Sequence, residues 1–384
     1  MTELVFLGHA VDRSGPPVYL LHLLRWLAAN TDASTEVLAL EGGALLADYE
    51  ALTDVRVIGE PWPVRVPRGS RPLTSARDAA RRVRLRDVPS GALVHVNTAW
   101  SVRGLQYLPE HAGPVVAHVH ELEVGLDLHL PAQHRHLLFQ RTDRWVAASH
   151  AVARNLTDRW NVPAADIHVH HEMIDTGAAA DIEERDVARL RSSLGLEPDT
   201  PLVGTAAVVN WRKAPDLFVE LAARVTRTRP EVDAHFAWVG IEPGSPEVLA
   251  MRRDARRAGV ADRVHLVPAS SEPLSWMAAF DLFVLTARED AYPLACLEAA
   301  AAARPVICFE AGGMPEFVGD DAGAVVDFPD VAGMAEVVAD LCGSPERRAA
   351  LGDVGRRRVI ERHDIAVAAP RIWTDLHAWA EAGR

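Results

Sequence analysis

Lysine is almost missing from this 384-residue chain: of its 40 basic residues one, Lys213, is a lysine and the other 39 are arginines. A genomic bias toward arginine codons accounts for the 39 and leaves the exception to be explained. Cysteine is scarce as well. Cys296, Cys308 and Cys342 sit in apolar stretches without metal-ligand spacing, which excludes a disulfide scaffold and predicts buried free thiols in a reducing compartment. No apolar run approaches the length of a bilayer span, and the opening MTELVFLGHAVDRSG lacks a basic segment followed by a long apolar core, so a cytoplasmic location is expected. A basic surplus is also lacking. The net charge of −13 excludes a nucleic-acid partner, which needs a broad basic surface, but leaves room for a small anionic ligand at a local basic site. There is no low-complexity tract and no short repeat, and 49% hydrophobic with 24% charged residues excludes a disordered or collagen-like chain.

What the chain does have is alternation. Short β-type runs at 4–7, 36–40, 55–58, 93–96, 115–119, 145–148 and 167–170 are separated by helical patterns, such as 18–29 with Leu20, Leu21, Leu24 and Leu27 on one stripe. After Asp175 comes a small, acidic stretch, and the alternation restarts with runs at 201–207, 234–239, 264–267, 282–285, 306–309 and 324–326. This pattern predicts an α/β protein of two Rossmann-like domains facing a cleft: 1–180, 181–365, and a C-terminal helix, 366–384, packing back toward the N-terminal domain through Ile372, Trp373, Leu376 and Trp379.

The most informative segment, 286–318, begins at the C-terminal end of a strand, the edge where open α/β sheets bind ligands. Asp290 ends the loop, Pro293 suits a first helical turn, and Glu298 follows eight residues after Asp290 among Leu and Ala neighbours. A carboxylate there either faces water or has hydrogen-bonding partners, and the hydroxyls of a ribose would serve. A helix N-cap at Asp290 and a solvated Glu298 are the plainer alternatives. The paired Gly312 and Gly313 remove side chains where the backbone enters a helix, so free N–H groups there can face a phosphate or a sugar.

Arg212 and Lys213 are adjacent cations in a strand-to-helix loop on the same edge, placed for a diphosphate. Codon bias replaces Lys by Arg where the two are equivalent. A surviving Lys marks either a site that needs a compact ammonium or a chance residual on the surface. The N-terminal loop Gly8 to Gly15 does not follow Gly-x-Gly-x-x-Gly, which argues against a dinucleotide oxidoreductase, although it offers a flexible small-residue loop at a helix N-terminus facing the cleft. His118 and His120 share a strand face, as do His168 and His170. With no Asp-x-Asp in the chain, packed histidines are favoured over a metal site. Eight arginines between Arg65 and Arg86 read as a solvated helix face, with an anionic acceptor or a membrane surface as the functional alternative.

In this order the segments resemble the retaining GT-B glycosyltransferases of family four, also called group 1. The marks are Asp290-AYPLACL-Glu298, the strand PVICF, the turn Gly312-Gly313-Met314-Pro315-Glu316, the Arg212-Lys213 pair, His120 with its following Glu-Leu, Ser149 opening a helix, and the Ser14-Gly15 loop. The resemblance implies sugar transfer from a nucleotide-diphosphate sugar, with UDP or GDP as the nucleotide, to a hydroxyl of a small-molecule or lipid-linked acceptor, without a metal ion or other cofactor. It places Glu298 on the ribose hydroxyls and Arg212 and Lys213 on the diphosphate. Gly312, Gly313, Met314, Glu289 and Leu294 line the donor, Asp290 and His120 lie by the reacting sugar, and Ser14 and Gly15 meet the acceptor near the phosphates. The chain departs from the family at Asp290, where Glu is usual, and at Ala214, where Gly is usual. A non-catalytic sugar-nucleotide-binding subunit or sensor on the same fold is the alternative function.

Overall fold

Strands buried on both faces need unbroken apolar runs, and Leu4, Val5, Phe6 and Leu7 are each at most 1% exposed. The computed structural model describes residues 2–59, 88–109, 113–179 and 181–383; the arginines from Arg65 to Arg86 lie outside the described residues. The chain divides into two units, Met1–Met173 with Ile365–Arg384, and Ile174–Asp364.

The first unit holds a parallel sheet of β1 (Glu3–Gly8), β2 (Ser34–Ala39), β3 (Asp54–Val57), β4 (Leu93–Asn97), β5 (Val115–Val119), β6 (Arg144–Ala147) and β7 (Ile167–Val169). Their order is β3-β2-β1-β4-β5-β6-β7, so the chain direction across the sheet reverses between β1 and β4. Gly8 pairs with Asn97 and Asn97 with His118, which sets the loops after β1, β4 and β5 side by side at that switch point. The helix Gly15–Asn30 starts on prolines and buries Tyr19, Leu20, Leu23, Leu24 and Leu27. These pack with Leu4 and Phe6, and with Ile372 and Leu376 of the C-terminal helix Ile365–Ala382. Each such side chain contributes about 1.5–3 kcal/mol by leaving water.

The second unit repeats the plan with β8 (Leu202–Ala206), β9 (His235–Ile241), β10 (Val264–Pro268), β11 (Leu282–Leu285), β12 (Val306–Phe309) and β13 (Gly323–Val326), ordered β10-β9-β8-β11-β12-β13 and all parallel. The switch point is now between β8 and β11. Gly204 on β8 is required by the core, since a Cβ there would meet the Phe280 ring at 2.2 Å. The three cysteines are free and buried, and burial pushes the thiols of Cys308 and Cys342 up to about 12. They are inert packing groups. Among the described residues no helix is long and apolar enough to cross a membrane.

Candidate active site

In the second unit, three loops meet at the C-terminal ends of β8, β11 and β12, and the middle one ties down the other two. Thr286 donates its hydroxyl to the carbonyls of Lys213 (3.2 Å) and Ala214 (3.3 Å). The Arg288 N–H bonds the Arg212 carbonyl at 2.7 Å, and its guanidinium holds Asp216 in a fork at 3.0 and 2.6 Å while lying over the exposed Trp211 ring. Burial alone would raise the Asp216 pKa, but the Arg288 fork outweighs it and the carboxyl is held below its usual value. Asp290 pairs with the ammonium of Lys213, and the two side chains are only 9% and 14% exposed.

That ion pair decides between the readings of Asp290. The following helix is Leu294–Ala301 with Pro293 at its N-cap position, so Asp290 is not a cap. It is the anchor of the single lysine. The Asp290 carbonyl in turn accepts the Gly313 N–H at 3.0 Å, and Gly312, at φ 90°, passes so close that a Cβ there would stand 2.0 Å from that oxygen. The expectation of free amides at both glycines is therefore corrected. Gly313 has spent its N–H on the neighbouring loop, and among the described residues no hydrogen bond takes the amides of Gly312 or Met314. The Met314 side chain is fully buried in the core, so it has only its amide to offer a ligand.

Glu298 stands on the Leu294–Ala301 helix, half-buried among buried Cys296, Leu297, Ala299 and Ala300. It is not the solvated helix residue that the plainer alternative supposed. Desolvation pushes its carboxyl up to about 7, and its carboxylate has no hydrogen-bond partner among the described residues. Leu294, in the first turn, is partly buried, with a backbone N–H that helix geometry leaves without an intrahelical acceptor. Glu289 is partly buried beside Asp290. Arg212 is partly buried, and its guanidinium makes no hydrogen bond among the described residues. The Asn210 side chain accepts the Lys213 N–H at 3.1 Å and shapes the turn, and buried Ala214 closes it in the left-handed region at φ 53°.

In the first unit the corresponding loops converge on His120. Its Nδ1 lies 2.6 Å from Glu172 Oε1 and its Nε2 3.3 Å from Asn97 Oδ1, the Asn97 amide being oriented by its Nδ2 bond to the Pro16 carbonyl at 2.9 Å. Burial opposes charge on the ring, but Glu172 first and Glu121 after it outweigh burial and raise the pKa. The Glu172 and Asn97 oxygens, one facing each ring nitrogen, fix the orientation of the imidazole. Glu121 accepts from the Thr98 hydroxyl, from the Ala99 N–H at 3.2 Å and from the His120 N–H at 2.9 Å. It thereby fixes Thr98 at φ 76°, which a β-branched residue rarely adopts. His118 stacks 4.0 Å from His120, and burial holds His118 and His95 neutral, His95 at about 3.

Ser14 and Gly15 are exposed at the head of the first helix. Both the N–H and the hydroxyl of Ser14 bond Asp12, at 2.9 and 2.6 Å, so Ser14 does not cap the helix with its side chain. Ser149 does cap its own, accepting the Val152 N–H at 3.1 Å. His168 and His170 both bond Asp375 Oδ2 at 2.9 Å, packing β7 against the C-terminal helix. The motifs missed Thr286, Arg288, Asn97 and Glu172. The first three stand at or just beyond the ends of β11 and β4, where ligand-edge position alone was a signal; Glu172 had none.

Two Rossmann-like units whose ligand-edge loops carry the polar chemistry are the architecture of the GT-B class. The crystal structure of Anabaena Alr3699/HepE in complex with UDP-glucose shares this fold, with a TM-score of 0.81 at 17% identity over 98% of this chain and 100% of that one. Residues 13–178 match the family described as Glycosyltransferase Family 4, and residues 200–344 the family described as Glycosyl transferases group 1. The chain belongs to the group 1 glycosyltransferases. Its relatives include the D-inositol 3-phosphate glycosyltransferase of Segniliparus rotundus, 31% identical over 57% of this chain and 48% of that protein. Another is the GDP-mannose-dependent alpha-(1-6)-phosphatidylinositol monomannoside mannosyltransferase of Mycolicibacterium smegmatis, 31% identical over 51% of this chain and 52% of that protein. The chain spans about half the length of the curated relatives it matches.

Proposed function

We propose that this protein is a retaining glycosyltransferase that moves a sugar from a UDP- or GDP-sugar to a hydroxyl of a small-molecule or lipid-linked acceptor, without a metal ion. The observation that carries the reading is Glu298, a desolvated carboxylate with no hydrogen-bond partner among the described residues, on the helix that follows the β11 switch-point loop. A buried carboxylate lacking donors is costly, and two vicinal ribose hydroxyls would supply them. A fold neighbour in complex with UDP-glucose and a GDP-mannose-dependent relative support the same donor chemistry.

The donor diphosphate falls to Arg212 and Lys213, and to the amides of Gly312, Met314 and Leu294. Breaking the anomeric C–O bond leaves its electron pair on the diphosphate, and these cations stabilise the growing charge in place of a metal. Asp290 holds Lys213 ready, so little reorganisation is needed when that charge appears. The new C–O bond forms to the acceptor oxygen on the face the leaving group departs from. The acceptor proton passes to an oxygen of the leaving phosphate. The His120 ring is held by Glu172 and Asn97, and Ser14 and Gly15 meet the acceptor.

Incubation with a panel of UDP- and GDP-sugars in the presence of a chelator tests this reading. Release of the free nucleoside diphosphate, and products with the donor's anomeric configuration when an acceptor is supplied, are expected. Tight nucleotide binding with no release from any donor would replace the enzyme by a sugar-nucleotide-binding subunit or sensor.

A further inference from the structure

The second unit carries a cavity of about 530 Å³ that the donor chemistry does not use. It is lined by Arg304, in the loop leading into β12, by Pro198, which precedes β8, and by Ala278, which precedes β11. In a parallel sheet these positions lie at the strands' N-terminal edge, opposite the loops described above. The volume is that of a small-molecule pocket.

Its lining has two characters. Val187, Leu196 and Ala302 give an apolar wall, while Arg191, Arg304 and Arg356 bring three guanidinium groups against one carboxylate, the exposed Glu184. The buried arginines are not equivalent. Arg191 is held through its terminal nitrogens by the carbonyls of Ala279 (2.8 Å), Pro198 (3.2 Å) and Thr200, and by Asp281 at 3.1 Å. Arg304 makes no side-chain hydrogen bond or ion pair among the described residues, and its Nε is shut off from solvent without an acceptor. The Nε of Arg191 is likewise buried and unmatched. Asp281, the carboxylate whose charge acts on Arg304, is already shared between Arg191 and Arg348 at 3.1 and 3.7 Å.

An Nε–H shut off from solvent without an acceptor is destabilising unless something outside the chain supplies the oxygen. Burial and the neighbouring Arg191 and Arg348 both act against charge on Arg304, opposed only by Asp281, which shows how little of its positive charge the protein compensates. A planar fork at the end of an apolar-walled cavity is matched by a planar or tetrahedral oxyanion attached to an apolar body.

We infer that this cavity is a second ligand site, separate from the donor loops, that binds a small organic anion with its oxyanion head on Arg304 and Arg191 and its body against Val187, Leu196 and Ala302. Phosphate and carboxylate heads share this chemistry, and the test distinguishes them.

Phenyl phosphate and benzoate are titrated calorimetrically into the full chain, with orthophosphate as the head group alone and with excess UDP present to occupy the donor loops. Binding of phenyl phosphate or benzoate in the presence of UDP, tighter than orthophosphate, is expected, and the tighter of the two names the head group. Arg304→Gln should weaken it about tenfold, and Arg356→Gln, at an exposed position, about threefold. Arg304→Met keeps the volume and removes the unmatched charge. It should raise the Tm of the free protein and abolish the ligand-induced rise in Tm, a readout that needs no activity. Equal affinity in Arg304→Gln, a lower Tm in Arg304→Met, or no binding of any probe at millimolar concentration would overturn the site.

Discussion

In the first unit the loops after β1, β4 and β5 surround His120, which pairs with Glu172, while Glu121 holds the strained Thr98. In the second unit the loops after β8, β11 and β12 stand at the same switch point of the same strand order, yet leave Glu298 without donors and Arg212 without an acceptor among the described residues. Topology therefore supplies the place and not the chemistry. The second unit leaves charged side chains at its loops without partners among the described residues, whereas the first pairs the charged residues around its central ring with one another.

The largest expected effect comes from breaking the pair that readies the second unit. Lys213→Ala should lower kcat/KM at least tenfold, about 1.4 kcal/mol of transition-state stabilisation. It should also cost about 3 kcal/mol of stability by stranding buried Asp290. Adding Asp290→Ala should restore much of the stability, measured by urea unfolding, and none of the turnover. Additive losses would mean the two residues are not coupled. Lys213→Arg should be impaired as well, since a planar fork does not fit where a compact ammonium does.

Next comes the pH response of Glu298. Its folded pKa of about 7 lies above the ordinary glutamate value of 4.5, so the folded state binds this proton more tightly. Its contribution to stability thus falls as pH rises from 4.5 to about 7 and is level above that. Ribose hydroxyls favour the ionised form, so nucleotide affinity should rise with pH through about 7. Calorimetry on Glu298→Gln should show affinity about tenfold weaker and flat with pH, with greater stability than the parent at alkaline pH.

The first unit should respond differently. His120 has a raised pKa, so its pairing stabilises the fold fully below the ordinary histidine value and is lost as pH climbs through the raised one. Glu172→Gln should move the His120 imidazole titration downward in NMR spectra and remove that alkaline loss, while nucleotide affinity stays as it was. A fall in nucleotide affinity would show that the two units do not divide the chemistry as described. The smallest effect is expected at Ala214. Replacement by Gly relieves the left-handed turn but gives up a buried methyl and loosens the unfolded chain, so the unfolding free energy from urea titration should change by less than about 1 kcal/mol.

The strands and their two-unit arrangement were legible because strands of a covered parallel sheet must be apolar throughout, and runs such as 306–309 have no other reading between polar loops. Glu298 was legible as a carboxylate out of place among Leu and Ala. The partner of Lys213 was not. Asp290 lies 77 residues away, and only the β8–β11 pairing brings the two together. Sequence placed Met314 and Gly313 in the donor's path without showing that the core takes one side chain and the Asp290 carbonyl the other residue's N–H. Arg288 looked like one more arginine among 39, and Glu172 gains its meaning from a ring 52 residues earlier.

The segment after β11 extends the strand's two-residue rhythm beyond the sheet: Thr286, Arg288 and Asp290 each reach across to the loop after β8. Stretches 207–216 and 286–293 therefore behave as one structural part. A chimera that borrows only one of them from a related chain would receive half a clasp, with an orphaned aspartate or an unheld lysine. Grafting both together would carry a new donor preference with its own support, so shuffling libraries built on this scaffold should cut outside the pair.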